Sequence, residues 1–378
     1  MKNATFKTPY YLIDEAALIH NLEILRHVKN ATGCKILLAQ KAYSIYQTYP
    51  LIAKYLDGTT ASGLHEATLG NSEFGGETHV YSAAYPPDDF DEIAGLCNHI
   101  VFNSFSQLRN FKPRLTSNNS VGIRVNPEIS TGEHEIYDPC AKKSRLGVTI
   151  DTFIEEVTSH PDALRCIDGL HFHTLCEQNS DALAVTLKVI EDKFGKYIPQ
   201  LKWVNFGGGH LITRKDYDIE LLVRLINGFK AKYNVQVYLE PGEAIALNAG
   251  WLVASVLDII KNDGEIAILD TSAPCHMPDV IEMPYTPNVV SGGKVGVKKF
   301  DYRLCGNSCL AGDIIGDYSF DEKLKVGDEV IFEDMAIYTM VKNNTFNGMH
   351  LPNILLKKIS GEIVPLKTFG YEDFKGRL

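Results

Sequence analysis

No apolar run in this chain is long enough to cross a bilayer: the longest, WLVASVLDII at 251–260, falls well short of the roughly 20 residues a spanning helix needs. The opening stretch, MKNATFKTPYYLIDE, lacks the apolar segment of a secretory signal, so a cytoplasmic protein with no membrane partner is expected. Eight cysteines are present, but in no CxxC pair and no dense framework, which points to reduced thiols rather than disulfide staples. Excess positive charge is also missing. With 37 Lys and Arg against 47 Asp and Glu, the net charge of −10 argues against nucleic acid and suits a small cationic substrate. No low-complexity segment or Ser/Gly-rich linker interrupts the chain.

What the 378 residues do contain is alternation, with 45% hydrophobic residues, enough for one large core and a second smaller one. Short β-branched or apolar runs occur at KILLAQ, TTASGL, HVYSAA, HIVFNS, VGIRVN, IDGLHFHTL, LKWVNF and VQVYLE. Helix-like stretches separate most of them, including HEATLGNSEF, PDDFDEIAGLCN with proline at its start, and DTFIEEVTSH. Eight such units predict a (β/α)8 barrel over residues 14–245. Beyond it EIAILD, KVGDEVIFEDMAIYTM and ILLKKISGEIVPL, with NDG and VGD turn signals, predict antiparallel strands of a β domain over 246–378, with residues 1–13 packing on it.

In such a barrel the working residues gather at the carboxyl ends of the strands, and four unusual features fall there. Lys41 ends the first strand, His171 and His173 lie near the end of the sixth, Gly207, Gly208 and Gly209 follow the seventh, and Glu240 ends the eighth. Each has an ordinary reading: a snorkelling lysine, a satisfied core histidine pair, a tight glycine turn, a hydrogen-bonded carboxylate before Pro241. Together they are the parts needed to hold pyridoxal 5'-phosphate. A partly desolvated lysine amine bonds the aldehyde, glycine N–H groups close around a phosphate, a flat imidazole covers a ring, and a carboxylate keeps the pyridine nitrogen protonated.

Seven blocks, TPYYLIDE, LAQKAYS, HFHTLCE, VNFGGGH, LEPGEA, LCGNSCLAGD and FEDMAIYTMVKNNTFNG, carry a resemblance over nearly the whole chain. It resembles the alanine-racemase-fold decarboxylases, the group of diaminopimelate and ornithine decarboxylases, and among them those acting on carboxynorspermidine and carboxyspermidine. The resemblance implies that Lys41 carries the cofactor, that His173 stacks on its ring, that Gly207 to Gly209 and Tyr338 contact its phosphate, and that Glu240 meets its pyridine nitrogen. It further implies a homodimer with shared active sites, in which Cys309 enters the partner's site and helps control protonation after carbon dioxide leaves. Asp313, ending that motif, is either a turn acid or a second charge near the substrate.

Departures from the wider family concern specificity. Where relatives read EPGR, with a phosphate-binding arginine, this chain carries Glu243. Leu310 replaces an acid, and Cys176 replaces a small serine. Glu243 and Asp279 in CHMPDV are therefore the acids expected to read a polyamine chain. Two alternatives remain at this level. A metal-dependent barrel hydrolase also uses HxH, but at the end of its first strand; a non-enzymatic pyridoxal phosphate carrier has the barrel alone. No metal ligand set is expected.

Overall fold

The computed structural model describes residues 6–132 and 137–378. After a first strand, β1 (Tyr10–Asp14), eight strands close into an all-parallel barrel in chain order. They are β2 (Lys35–Ala39), β3 (Gly58–Ala61), β4 (Glu77–Tyr81), β5 (His99–Phe102), β6 (Ser120–Arg124), β7 (Gly169–His171), β8 (Trp203–Asn205) and β9 (Gln236–Leu239), which pairs back onto β2. Every one overlaps a run read from the sequence. Of the three expected helices, Ile150–Ser159 matches, Phe90–Leu96 begins after a turn over 87–89, and Leu64–Leu69 continues as a π-helical turn to Phe74. The helix Ile219–Tyr233 shows how the outer ring forms. Asp218 accepts from the Leu221 N–H at 2.8 Å, Leu222, Ile226, Phe229 and Tyr233 recur on one buried face, and Asn234 ends it in the left-handed region.

The barrel interior is filled rather than hollow. Trp203, Leu37, Val101 and Tyr238 form a buried layer, and the Trp203 indole N–H donates to Ser120 Oγ at 2.8 Å. Room for the indole comes from two neighbouring strands: a Cβ on Gly122 would lie 2.3 Å, and one on Gly169 2.1 Å, from Trp203 ring atoms. Near the amino ends of the strands the filling is polar. Glu77 accepts from Lys35, from the Tyr238 hydroxyl at 3.1 Å and from His79 at 3.0 Å, while the His79 and His99 rings stack with centroids 3.9 Å apart.

Chain contacts separate two units, Asn21–Ile245 and a unit joining the residues up to His20 to Ala246–Leu378. The second unit is built on one sheet. Its strands are β1, β10 (Gly250–Lys261), β11 (Glu265–Leu269), β12 (Phe300–Cys305), β13 (Ile314–Phe320), β14 (Glu329–Glu333), β15 (Asn353–Lys357) and β16 (Ile363–Lys367), in the order β13-β12-β11-β10-β1-β15-β16 with β14 also on β10. The expected antiparallel pairing holds for five of the seven strand pairs. β1 runs parallel to β15 and β11 parallel to β12, because the 300–305 strand is reached by a long connection rather than a hairpin. Among the described residues no helix is long and apolar enough to cross a membrane.

Candidate active site

A cavity at the carboxyl ends of the barrel strands is lined by Lys41, Ser62, Tyr81, Arg124, His171, His173, Gly208 and Glu240, among others. Four of the residues expected from sequence, Lys41, His173, Gly208 and Glu240, thus line one cavity. β2 stops at Ala39, and the turn over 40–42 carries Lys41 past its end. That turn is pinned. The Gln40 N–H donates to Thr60 O at 3.3 Å, and the Gln40 side chain donates to Glu66 O at 2.8 Å and accepts from the Tyr49 hydroxyl at 3.1 Å. The ammonium faces the open cavity, so its surface is accessible, yet protein fills most of the shell around it. That desolvation, with the nearby Arg124 charge, holds the Lys41 pKa below the usual lysine value, which raises its share of nucleophilic amine.

Glu240 is held from behind by two neutral donors. Asn205 Nδ2 donates to Oε1 at 2.8 Å and His171 Nε2 lies 3.2 Å from Oε2. Burial works to raise the carboxyl pKa, but the charge and hydrogen bond of His171, the charge of His79 and the Asn205 hydrogen bond outweigh it and bring the group down to about 2. Burial in turn lowers the His171 pKa, so near neutral pH the ring is read as neutral, with its proton on Nε2 facing Glu240. Tyr81 stacks on His171 at 5.5 Å, and the Arg124 guanidinium lies 4.6 Å over Tyr81.

The glycine turn is required by backbone packing. Gly207 and Gly209 have φ of 70° and 83°, and a Cβ on Gly209 would sit 1.9 Å from Leu175 O. Its N–H groups are less available to a phosphate than the sequence implies. Gly207 N–H donates to Asn205 Oδ1 and Gly208 N–H to His173 Nδ1, both at 2.8 Å. The second bond leaves His173 Nδ1 without a lone pair for a metal, and His171 faces Glu240.

The other candidates lie elsewhere. Glu243 begins the short helix Glu243–Ala246, half-buried, outside the cavity lining but near enough to Cys176 to help burial push that thiol up to about 11. In the β unit, Asp279 forms an ion pair with Lys342, which also reaches Glu282. Asp313 takes the Ala273 N–H at 2.8 Å on Oδ1 and the Ser308 hydroxyl at 2.5 Å on Oδ2, the geometry of a turn-organising acid. Cys309 is exposed, its N–H bonded to Asn347 Oδ1 at 2.9 Å, and Cys305 is half-buried. Tyr338 is half-buried with φ of 39°, a conformation bulky residues seldom take and one that concentrates at functional positions.

Arg124, Asn205 and Tyr81 were not singled out from the sequence. The signal for Arg124 was available, since VGIRVN delivers a charge to a strand end just as KILLAQK does. At the opposite barrel end, Glu77, His79 and His99 also converge, but Lys35 already binds Glu77 there.

The profile of the pyridoxal-dependent decarboxylases, C-terminal sheet domain, matches residues 11–336. A carboxynorspermidine/carboxyspermidine decarboxylase of Campylobacter jejuni subsp. jejuni serotype O:6 is 47% identical over 98% of both chains. A carboxyaminopropylagmatine decarboxylase of Synechocystis sp. is 41% identical over 99% of this chain and 96% of its own. The crystal structure of carboxynorspermidine decarboxylase complexed with norspermidine from Campylobacter jejuni superposes with a TM-score of 0.91 at 46% identity, covering 99% of this chain and all of the other. The chain belongs to the pyridoxal-dependent decarboxylases.

Proposed function

We propose that this protein decarboxylates carboxynorspermidine and carboxyspermidine, giving norspermidine, spermidine and carbon dioxide, with pyridoxal 5'-phosphate held at Lys41. One observation carries the reading: a chain 47% identical to an enzyme of that name joins a desolvated lysine, an ionised glutamate and an imidazole in one barrel cavity. Those residues fit the cofactor. Lys41 offers an amine, Glu240 offers an ionised carboxylate suited to a protonated ring nitrogen, and His173, fixed by Gly208, offers a flat face. When bound, the cofactor supplies an electron sink for the pair left as the substrate carboxylate departs. We assign its phosphate to Gly209 and Tyr338, with no arginine at position 243.

Around that centre the chain's own groups select and protonate. Glu243 is the acid we assign to the polyamine nitrogens, because it stands where relatives carry the phosphate-binding arginine; Asp279 pairs with Lys342 and Asp313 organises its turn. We place Cys309 in the site of a second copy, as proton donor. Its exposure supports this, as does that of Leu310 and Phe346 at 43% and 52%. The eight unpaired cysteines fit a cytoplasmic enzyme. A guanidinium-tailed substrate is the second reading, favoured by the Synechocystis relative.

Product analysis with carboxynorspermidine, carboxyspermidine, carboxyaminopropylagmatine and diaminopimelate tests the assignment. Norspermidine or spermidine with carbon dioxide, at the highest kcat/KM of the set, is expected. A preference for diaminopimelate overturns the substrate, and cofactor binding without carbon dioxide release overturns the enzyme. The Glu243→Gln variant should lose about tenfold or more in kcat/KM on the carboxylated triamine.

A further inference from the structure

We propose that Asn205, acting with His171, is a positioning residue that holds the Glu240 carboxylate in one orientation and ties it to the glycine turn and the His173 ring. The proposal rests on the reading of Glu240 as partner of the pyridine nitrogen. Strand register brings the three groups together. His171 on β7, Asn205 on β8 and Tyr238 on β9 are paired side by side, and Glu240, two residues past Tyr238, returns to the same face. Asn205 is wholly buried, His171 is 2% exposed and the Glu240 side chain 11%.

The Asn205 amide has one workable orientation. Its nitrogen meets Glu240 Oε1 and its oxygen meets the Gly207 N–H, each at 2.8 Å; the reverse would set oxygen against carboxylate and amine against amide. One side chain thus spans the carboxylate and the turn. The next residue of that turn, Gly208, fixes the His173 ring through Nδ1, and the Glu240 N–H closes the loop on Gly207 O at 2.8 Å. The carboxylate and the imidazole expected to lie on two sides of one flat ligand are therefore set by a single connected network.

The donors are also chemically apt. An arginine or lysine salt bridge would spend the carboxylate's charge inside the protein. A neutral amide and a neutral imidazole satisfy both oxygens and leave that charge to act on whatever faces Glu240 in the cavity.

A purely structural Asn205 would serve only Gly207, and Asn205→Asp separates the two roles. It keeps the oxygen for Gly207, removes the donor to Glu240 and adds a second carboxylate beside it. In the cofactor-free full-length protein, infrared spectroscopy should then show a protonated carboxyl band near neutral pH, absent from the parent and from the Asn205→Asp, Glu240→Gln double variant. In the holoenzyme, kcat should fall about tenfold or more with KM changed less than about threefold. His171→Phe, which keeps a ring against Tyr81 and leaves Gly207 untouched, should show the same kcat loss and serves if Asn205→Asp does not fold. An unchanged kcat in the folded variants with no new carboxyl band overturns the proposal. A parent protein that binds no pyridoxal phosphate instead overturns the functional reading, and the infrared result still decides the Asn205 contact.

Discussion

Replacing Glu240 by glutamine removes one charge and almost nothing else. The amide oxygen can keep the Asn205 donor, and the new NH2 then faces His171 Nε2. That clash is relieved by moving the ring proton to Nδ1, which has no hydrogen-bond partner in the structure. Because the native carboxyl pKa of about 2 lies below the ordinary value, losing the charge should also cost folding stability, by up to about 3 kcal/mol. The catalytic effect is separate. A hydrogen bond to a charged group contributes roughly 1.5–3 kcal/mol, and about 1.4 kcal/mol is a factor of ten, so kcat/KM on a carboxylated triamine should fall about ten- to 150-fold. Steady-state kinetics on cofactor-saturated protein, with a denaturant melt as control, makes the measurement. Loss of less than about threefold with cofactor bound would refute the role given to the carboxylate.

Burial lowers the pKa of His99 and His276 to about 3 and of His210 to about 4, so the native state keeps them neutral where the unfolded chain is protonated. Stability should therefore fall as pH drops below about 6.5, with net proton uptake on unfolding near pH 5 to which His171 and His173, also lowered by burial, add. Below about 4.5 the loss should steepen, because Glu77 and Glu240 stay ionised to about 2 in the native state; equal denaturant midpoints at pH 7 and pH 5 would contradict this. Gly169→Ala should cost about 1–3 kcal/mol by pressing a methyl group onto Trp203, and Trp203→Phe in the same chain should recover part of it. Mixing inactive Lys41→Ala and Cys309→Ala subunits should restore about a quarter of the sites if each site joins two chains. No recovery after demonstrated subunit exchange would place Cys309 outside the partner's site.

The barrel was legible because each strand is short, apolar and punctuated, as in KILLAQ and VQVYLE, and because odd residues recur at strand ends. Lys41, His173 and Glu240 stood out as polar groups where the pattern calls for none. Asn205 did not, since a polar residue on an inward-facing strand position looks like ordinary alternation until the barrel closes around it. Long-range pairings carry no local signal at all. Nothing in CHMPDV announces that Lys342, 63 residues on, will neutralise Asp279, and nothing in YYLID announces a parallel partner at Asn353–Lys357.

The central claim is that Lys41 holds the cofactor in a catalytic site, and reduction of the holoenzyme with borohydride followed by peptide mapping tests it most directly. The account predicts loss of the visible absorption band and a pyridoxyl group on Lys41 in the peptide containing LAQKAYS. A label on any other lysine, or none, would contradict it.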